Sequence, residues 1–485
     1  MRTNRMGRFL IAVLTLAAGA IDLPAQVSEW ESYMSAGHRL RAQQQYAEAE
    51  KSYLAALGKA EALAERDHRL VMTLTSLAGV HQQLERYQKA AVVYRRALAI
   101  SEDALGPESA DVAAILTNLA TVYRREGKHS AAEPLYRRAL AMREKLHGKV
   151  HPEVATVLTH LAVTYQDAGR YAEAEPLYRR ALAIREKLHG GVHPQVAGVL
   201  VRLALTYTHL RRYPEAESLY RRSLEIFEKT VGPKHPDTAQ ALNELATVYN
   251  RQGRHAEAEP LYRRALAIWQ HTLGTDHPTA ATALSNLAGV HQARGENSEA
   301  ERLYRQALAA KERALGADHP DVAAVLGNLG NLYSTQGRYD EAEEQFKRTV
   351  EMQRKARGPR DITLAGLLNN LAMVYSRQGR YAKAEALHRE AISIKEQAPG
   401  PDHQDLAQSL TNLAAVRVAQ GQYDEAEQLC RRALRMWESG AGVEPLRVAH
   451  ALANLAEIYQ RQGRWGQAQA LLRRALDIAE TTVGD

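Results

Sequence analysis

The 485-residue chain has a single cysteine, Cys430. No intramolecular disulfide can form, and paired-cysteine metal or redox motifs are excluded. Phenylalanine is scarce, with 3 residues, and aromatics make up only 6% of the chain. Neither sign of charge dominates: 63 Lys and Arg against 56 Asp and Glu leave +7, which is thin over this length. There is no glycine-rich phosphate loop, no GxSxG and no HExxH, so neither catalysis nor a cofactor is expected. The apolar run Phe9–Ala20 has 12 residues, short of the roughly 20 needed to cross a bilayer, so no stable membrane span is expected. Arg2, Arg5 and Arg8 precede it, and the small residues Ala18-Gly19-Ala20, or Ala25, follow. That is the order of a secretory signal. Residues 1–25 are expected to be a signal peptide, and the protein to be exported, periplasmic or secreted, in a bacterium.

What the chain does contain is repetition. Ten glycines recur 42 residues apart, at Gly106, Gly148, Gly190, Gly232, Gly274, Gly316, Gly358, Gly400, Gly442 and Gly484. One small unit has been copied in tandem, and each copy can bury its apolar face only by stacking on the next.

The unit from His151 to Gly190 reads as two helices. Val154, Leu158, Leu161, Ala162 and Tyr165 share one helical face. Pro152 suits the first helical position, and Gly169 stops this helix A. Helix B starts near Tyr171, with Ala174, Leu177, Tyr178, Ala181, Ile184 and Leu188 on one stripe. Gly190 is expected to end it as a left-handed cap. Ala162 and Ala174 let the helices approach, while Tyr165 and Tyr178 fill the space between them.

The order Leu158, Leu161, Ala162, Tyr165, Ala174, Tyr178, Ala181 resembles the tetratricopeptide repeat. The 42-residue length and the His-Pro dipeptides at 151–152, 193–194, 235–236, 277–278 and 319–320 look like the longer subtype of kinesin light chains. In-phase markers Tyr53, Tyr94, Tyr136, Tyr178, Tyr220, Tyr262, Tyr304, Phe346, His388, Cys430 and Leu472 predict eleven units. Residues 26–68 are a degenerate first repeat, and 69–485 are the tandem array. No heptad segment precedes the array, so a motor subunit is not expected. The resemblance implies an all-α, right-handed superhelical solenoid with helix A on its concave face. It also implies a scaffold for proteins or extended peptides.

By that resemblance, the residue two before the packing alanine of helix A points into the groove. These residues are Asn118, His160, Arg202, Glu244, Asn286, Asn328, Asn370, Asn412 and Asn454. Asparagine can pair with both N–H and C=O of a peptide, or it can bond to the next repeat and stabilise stacking. Both roles remain open. His160, Arg202 and Glu244 interrupt the row, and Arg202 suits a carboxylate.

Arginine pairs recur on helix B, among them Arg137-Arg138, Arg179-Arg180, Arg221-Arg222 and Arg431-Arg432. Glu133, Glu175, Glu217, Glu259, Glu301, Glu343, Glu385 and Glu427 each stand four residues before a basic residue. Such pairs predict a solvated outer face rather than a nucleic-acid stripe. His147 with His151, and His189 with His193, have ligand-like spacing but straddle a glycine, with no carboxylate in a known ligand pattern. No metal is expected. Pro134, Pro176 and Pro260 predict a late helix start or a mild kink. The link Gly440–Pro445 lacks His-Pro, so the last unit is expected to dock at a changed angle. No polar capping helix closes the array, so self-association through its C-terminal end is a second expectation.

Overall fold

The computed structural model describes residues 27–63, 68–397, 403–439 and 445–483. The expected signal peptide lies outside them, as does the Gly440–Pro445 link except for Pro445. The described residues form twenty-two α-helices and no strand. The helices fall into eleven antiparallel hairpins of a helix A and a helix B, from residues 27–42 with Tyr46–Leu63 to Pro445–Arg461 with Trp465–Val483. The chain is an all-α solenoid of tandem repeats. It divides into two compact units, Met1–Val248 and Tyr249–Asp485.

In the first unit the hairpin Pro152–Asp167 and Tyr171–His189 shows how the sequence builds the fold. Ala162, Ala174 and Tyr178 are fully buried, and Leu158 lies beside them. Between the helices, Arg170 N–H donates to Tyr165 O at 2.8 Å and Gly169 N–H to Gln166 O at 2.9 Å, with Gly169 at φ +73°. This is the paired-bond helix stop that favours glycine. Gly190 differs from expectation: its φ of 78° and ψ of 174° are extended with positive φ rather than left-handed helical. That region is open essentially to glycine alone, and it throws the chain out of helix B toward the next His-Pro. Gln44, Glu85 and Arg211 hold positive φ, at 61°, 57° and 58°, where most other hairpins have glycine.

Each His-Pro is a helix start with a mechanism. The unprotonated Nδ1 of His151, His193, His235, His277 and His319 accepts the backbone N–H two residues on, at 3.3, 3.1, 3.2, 3.2 and 3.1 Å. Asp361 does the same for Thr363 N–H at 3.0 Å. These are N-caps, of which the aspartate one is worth about 1 kcal/mol. The prolines of helix B do not delay its start. The helices containing Pro134, Pro176 and Pro260 begin at His129, Tyr171 and His255. They therefore start on time, and each proline takes the loss of one ladder bond early in its helix.

The glutamates of helix B also depart from a simple solvated face. Their bonds to the basic residue four on are present, but the eight carboxylate side chains are only 12–21% exposed. The reason is a second set of partners from the next repeat. Tyr165 Oη donates to Glu133 Oε1 at 2.8 Å, and Arg170 Nη1 donates to Glu133 Oε2 at 2.7 Å. Arg170 also lies over the Tyr165 ring, 4.4 Å from its centroid. In the second unit Glu427 receives Tyr459 at 2.9 Å and Arg464 at 2.6 Å, with Arg464 3.9 Å from the ring centroid. Glu301 with Tyr333 and Arg338, and Glu343 with Tyr375 and Arg380, repeat the arrangement.

Candidate functional site

The nine groove candidates all lie on helices A, two residues before the buried small residue, as the register requires. In the first unit Arg202 is exposed, and Asn118, His160 and Glu244 are half-buried. In the second unit Asn454 is exposed and Asn286, Asn328, Asn370 and Asn412 are half-buried. Asn412 Oδ1 accepts from Gln408 Nε2 on its own helix at 3.0 Å. Bonds that tie one helix A to the next also start from neighbouring positions. Gln166 Nε2 reaches Thr206 Oγ1 at 2.8 Å and Arg202 O at 3.1 Å. Asn369, next to Asn370 but buried, donates to Ser409 Oγ at 2.8 Å.

The break in the asparagine row is not uniform. His160 packs edge-on against Tyr136, with ring centroids 5.9 Å apart, and its Nδ1 is buried without a hydrogen-bond partner. Burial, with Arg124 nearby, lowers its pKa, so it is held as neutral imidazole. It belongs to the packing more than to the surface. Arg202 and Glu244 differ: they line one cavity of about 260 Å³ together with Asp237 and Gln240, over Gly198, Val201, Leu205, Tyr220 and Phe227. Gln240 Nε2 donates to Glu244 Oε1 at 2.5 Å. Gly198 lines the cavity, and a Cβ placed there would meet nothing within 4 Å. Sequence register found Arg202 and Glu244, but the cavity depends on spatial neighbours that a linear reading does not pair.

The helix B arginines are engaged on both sides. Where a glutamate stands four residues ahead, the first of the pair joins the glutamate and tyrosine network: Arg179 Nη2 donates to Tyr207 Oη at 2.8 Å, and Arg431 Nη2 to Tyr459 Oη at 2.6 Å. The second reaches the preceding helix B: Arg138 to Glu102, Arg222 to Glu186, Arg348 to Glu312 and Arg432 to Glu396, all at 2.6 Å. Guanidiniums spent in this way have little field left for phosphates. The missed signal was tyrosine and arginine in the same 42-residue phase as the glutamates.

The histidine link also differs from the linear reading. The loop at Gly148 brings His147 and His151 into a stack, with centroids 4.2 Å apart and planes at 14°. Glu153 Oε2 sits 3.2 Å from His147 Nε2 and 2.8 Å from Arg143 Nη1. One ligand atom from each of His147, His151 and Glu153 fits within 4.8 Å, the one such group of three among the described residues. His189 and His193 stack likewise at 4.4 Å, but Gln195 occupies the acidic position.

No described helix is long and apolar enough to cross a membrane. No curated protein matches the chain. Among solved structures it is similar to BtubC (BKLC) from P. vanneervenii, at 24% identity and TM-score 0.43, over 48% of this chain and 92% of that one. It is also similar to a Podosopora anserina chain described as kinesin light chain, with nearly identical TPR-like repeats. That match has 30% identity and TM-score 0.37, over 43% of this chain and 98% of the other. A variant of the same fungal chain matches at 29% identity and TM-score 0.38, over 41% and 94%. The tetratricopeptide repeat model matches in overlapping copies at residues 32–103, 70–145, 111–187, 153–207, 195–270, 237–313, 279–355, 363–439 and 405–481. With repeated matches over nearly all the described residues, this chain belongs to the tetratricopeptide repeat family.

Proposed function

We propose that the protein is a non-catalytic scaffold that holds extended peptide segments of other proteins against its helix A face. Tetratricopeptide repeats are in general protein-interaction scaffolds, and the repeat model fits this chain nearly throughout. The observation that carries the finer reading is the cavity of about 260 Å³ beneath Arg202 and Glu244. It lies where the asparagine row changes to charged residues. Arg202 offers a planar pair of donors suited to a carboxylate. The half-buried asparagines of the second unit suit backbone N–H and C=O, which every peptide carries. Export of the mature chain is part of the reading and rests on the sequence of residues 1–25.

The test is binding of fluorescent peptides from an extended-peptide array, followed by anisotropy. Arg202→Ala is expected to weaken carboxylate-bearing peptides at least tenfold, and Asn328→Ala to weaken peptides of any sequence more modestly. Binding that survives both substitutions together overturns the reading.

A second reading has its own observation. On the last helix, Trp465–Val483, Trp465, Leu472 and Leu476 are 67%, 41% and 57% exposed. The counterparts of Leu472 and Leu476 one repeat earlier, Cys430 and Leu434, are buried. Self-association through this face predicts a molar mass that rises with concentration and falls on Leu476→Glu. A constant monomeric mass excludes it.

A further inference from the structure

We propose that His147, His151 and Glu153 form a binding site for a borderline-soft divalent cation, of which zinc is the probe. Two imidazoles and one carboxylate are a donor set that zinc accepts, with water as fourth ligand. Zinc–ligand bonds of about 2.0–2.2 Å in a tetrahedron place donor atoms about 3.3 Å apart. His147 Nε2 and Glu153 Oε2 already stand 3.2 Å apart. The stacked His151 ring keeps its ligand atom within 4.8 Å of both others, so a side-chain rotation closes the set. All three residues are half-buried or exposed, which leaves an entry path and room for the water.

Two existing contacts shape the site. His151 Nδ1 caps Glu153 N–H at 3.3 Å, the longest of the five histidine caps. To coordinate through Nε2, His151 moves its proton to Nδ1 and gives up that cap, and this is the unit where it gives up least. Arg143, itself buried, holds one oxygen of Glu153 at 2.8 Å. It holds the same Oε2 that faces His147, fixing that oxygen beside the imidazole as outer partners of ligating carboxylates do, and the oxygen's second lone pair is the one that would meet the ion. The His189–His193 link repeats the stack with Gln195 in the acidic position, and Gln195 Oε1 accepts from Arg185 at 2.6 Å. A neutral amide is a poor zinc ligand, so the chain carries its own control one repeat on. An ion at the first link joins the end of one hairpin to the start of the next.

The experiment titrates zinc chloride into the metal-free full chain by calorimetry, with helical circular dichroism confirming that each variant is folded. The wild type is expected to take up one equivalent at micromolar affinity. His147→Ala and Glu153→Gln are each expected to weaken it at least tenfold, and Gln195→Glu to raise the stoichiometry to two. Three results overturn the proposal: no uptake by the wild type up to millimolar zinc, uptake unchanged in the Glu153→Gln chain, or no second equivalent in the Gln195→Glu chain.

Discussion

The Arg212 guanidinium lies 4.3 Å from the centroid of the Tyr207 ring, and the Tyr207 hydroxyl donates to the same Glu175 carboxylate that Arg212 grips at 3.1 Å. Glu175 belongs to one repeat and the other two to the next. Tyr207→Phe removes the hydroxyl and is expected to cost about 1 kcal/mol, the net worth of such a bond. Glu175→Gln leaves Arg212 without its charge partner, and about 1–2 kcal/mol is expected. A double-mutant cycle by urea unfolding checks that the two losses are not additive, as residues in one network require.

His388 stands where most repeats have tyrosine. It is 1% exposed, and its Nδ1–H donates to Asn369 Oδ1 at 2.8 Å. Burial pushes its pKa down to about 4 from 6.5. A histidine depressed in the folded state binds its proton more readily when unfolded. Its contribution to stability is complete above pH 6.5 and disappears as pH falls from 6.5 to 4. His388→Tyr is expected to flatten that part of the melting-temperature profile, read by thermal melts at half-unit pH steps.

Glu343 titrates in a lower window. Burial raises its pKa, but hydrogen bonds from Lys347, Gln378 and Arg380 outweigh it and hold the pKa at about 2 instead of 4.5. Stability from this carboxylate is present above pH 4.5 and lost as pH falls toward 2. Glu343→Gln is expected to remove the dependence between those values while lowering stability near neutrality by about 1–2 kcal/mol. Carboxyl carbon NMR of the wild type, with a Glu343 midpoint near 2, checks the assignment.

Two backbone positions give opposite signs for small substitutions. Arg211 holds φ at 58°, a strain of roughly 1 kcal/mol for a residue with a Cβ. Arg211→Gly is therefore expected to raise stability by up to about 1 kcal/mol. Gly330 occupies the place that most repeats give to alanine, and a Cβ there meets the Phe346 ring at 2.9 Å. Gly330→Ala is expected to lower stability by about 1–3 kcal/mol through overpacking, despite alanine's better helix propensity. Paired urea titrations decide both signs.

The hairpins were legible because Ala162, Ala174 and Tyr178 repeat in a period that only stacking helices explain, and all three are buried. Gly169 as a stop was legible too. Gly190 was placed correctly but given the wrong conformation, since sequence marks a positive φ without reporting ψ. The capping role of the histidines before proline was not legible, because a ring nitrogen accepting an N–H leaves no compositional trace. The inter-repeat partners of Glu133 stand 32 and 37 residues away, beyond any single-helix pattern. For the helix A row, the repeat spacing marked equivalent positions along the helices, but it could not distinguish His160, turned against Tyr136, from Arg202 at a cavity mouth.

The tyrosine and arginine ties reach only from one hairpin to its successor, 32 residues apart for Tyr207 with Glu175 and 37 for Arg212 with Glu175. A hairpin thus meets its complete set of partners as soon as the following one folds beside it, with no contact from a remote part of the chain to await. Damage travels equally short distances: a lesion at one tie loosens two neighbouring hairpins and leaves remoter copies intact.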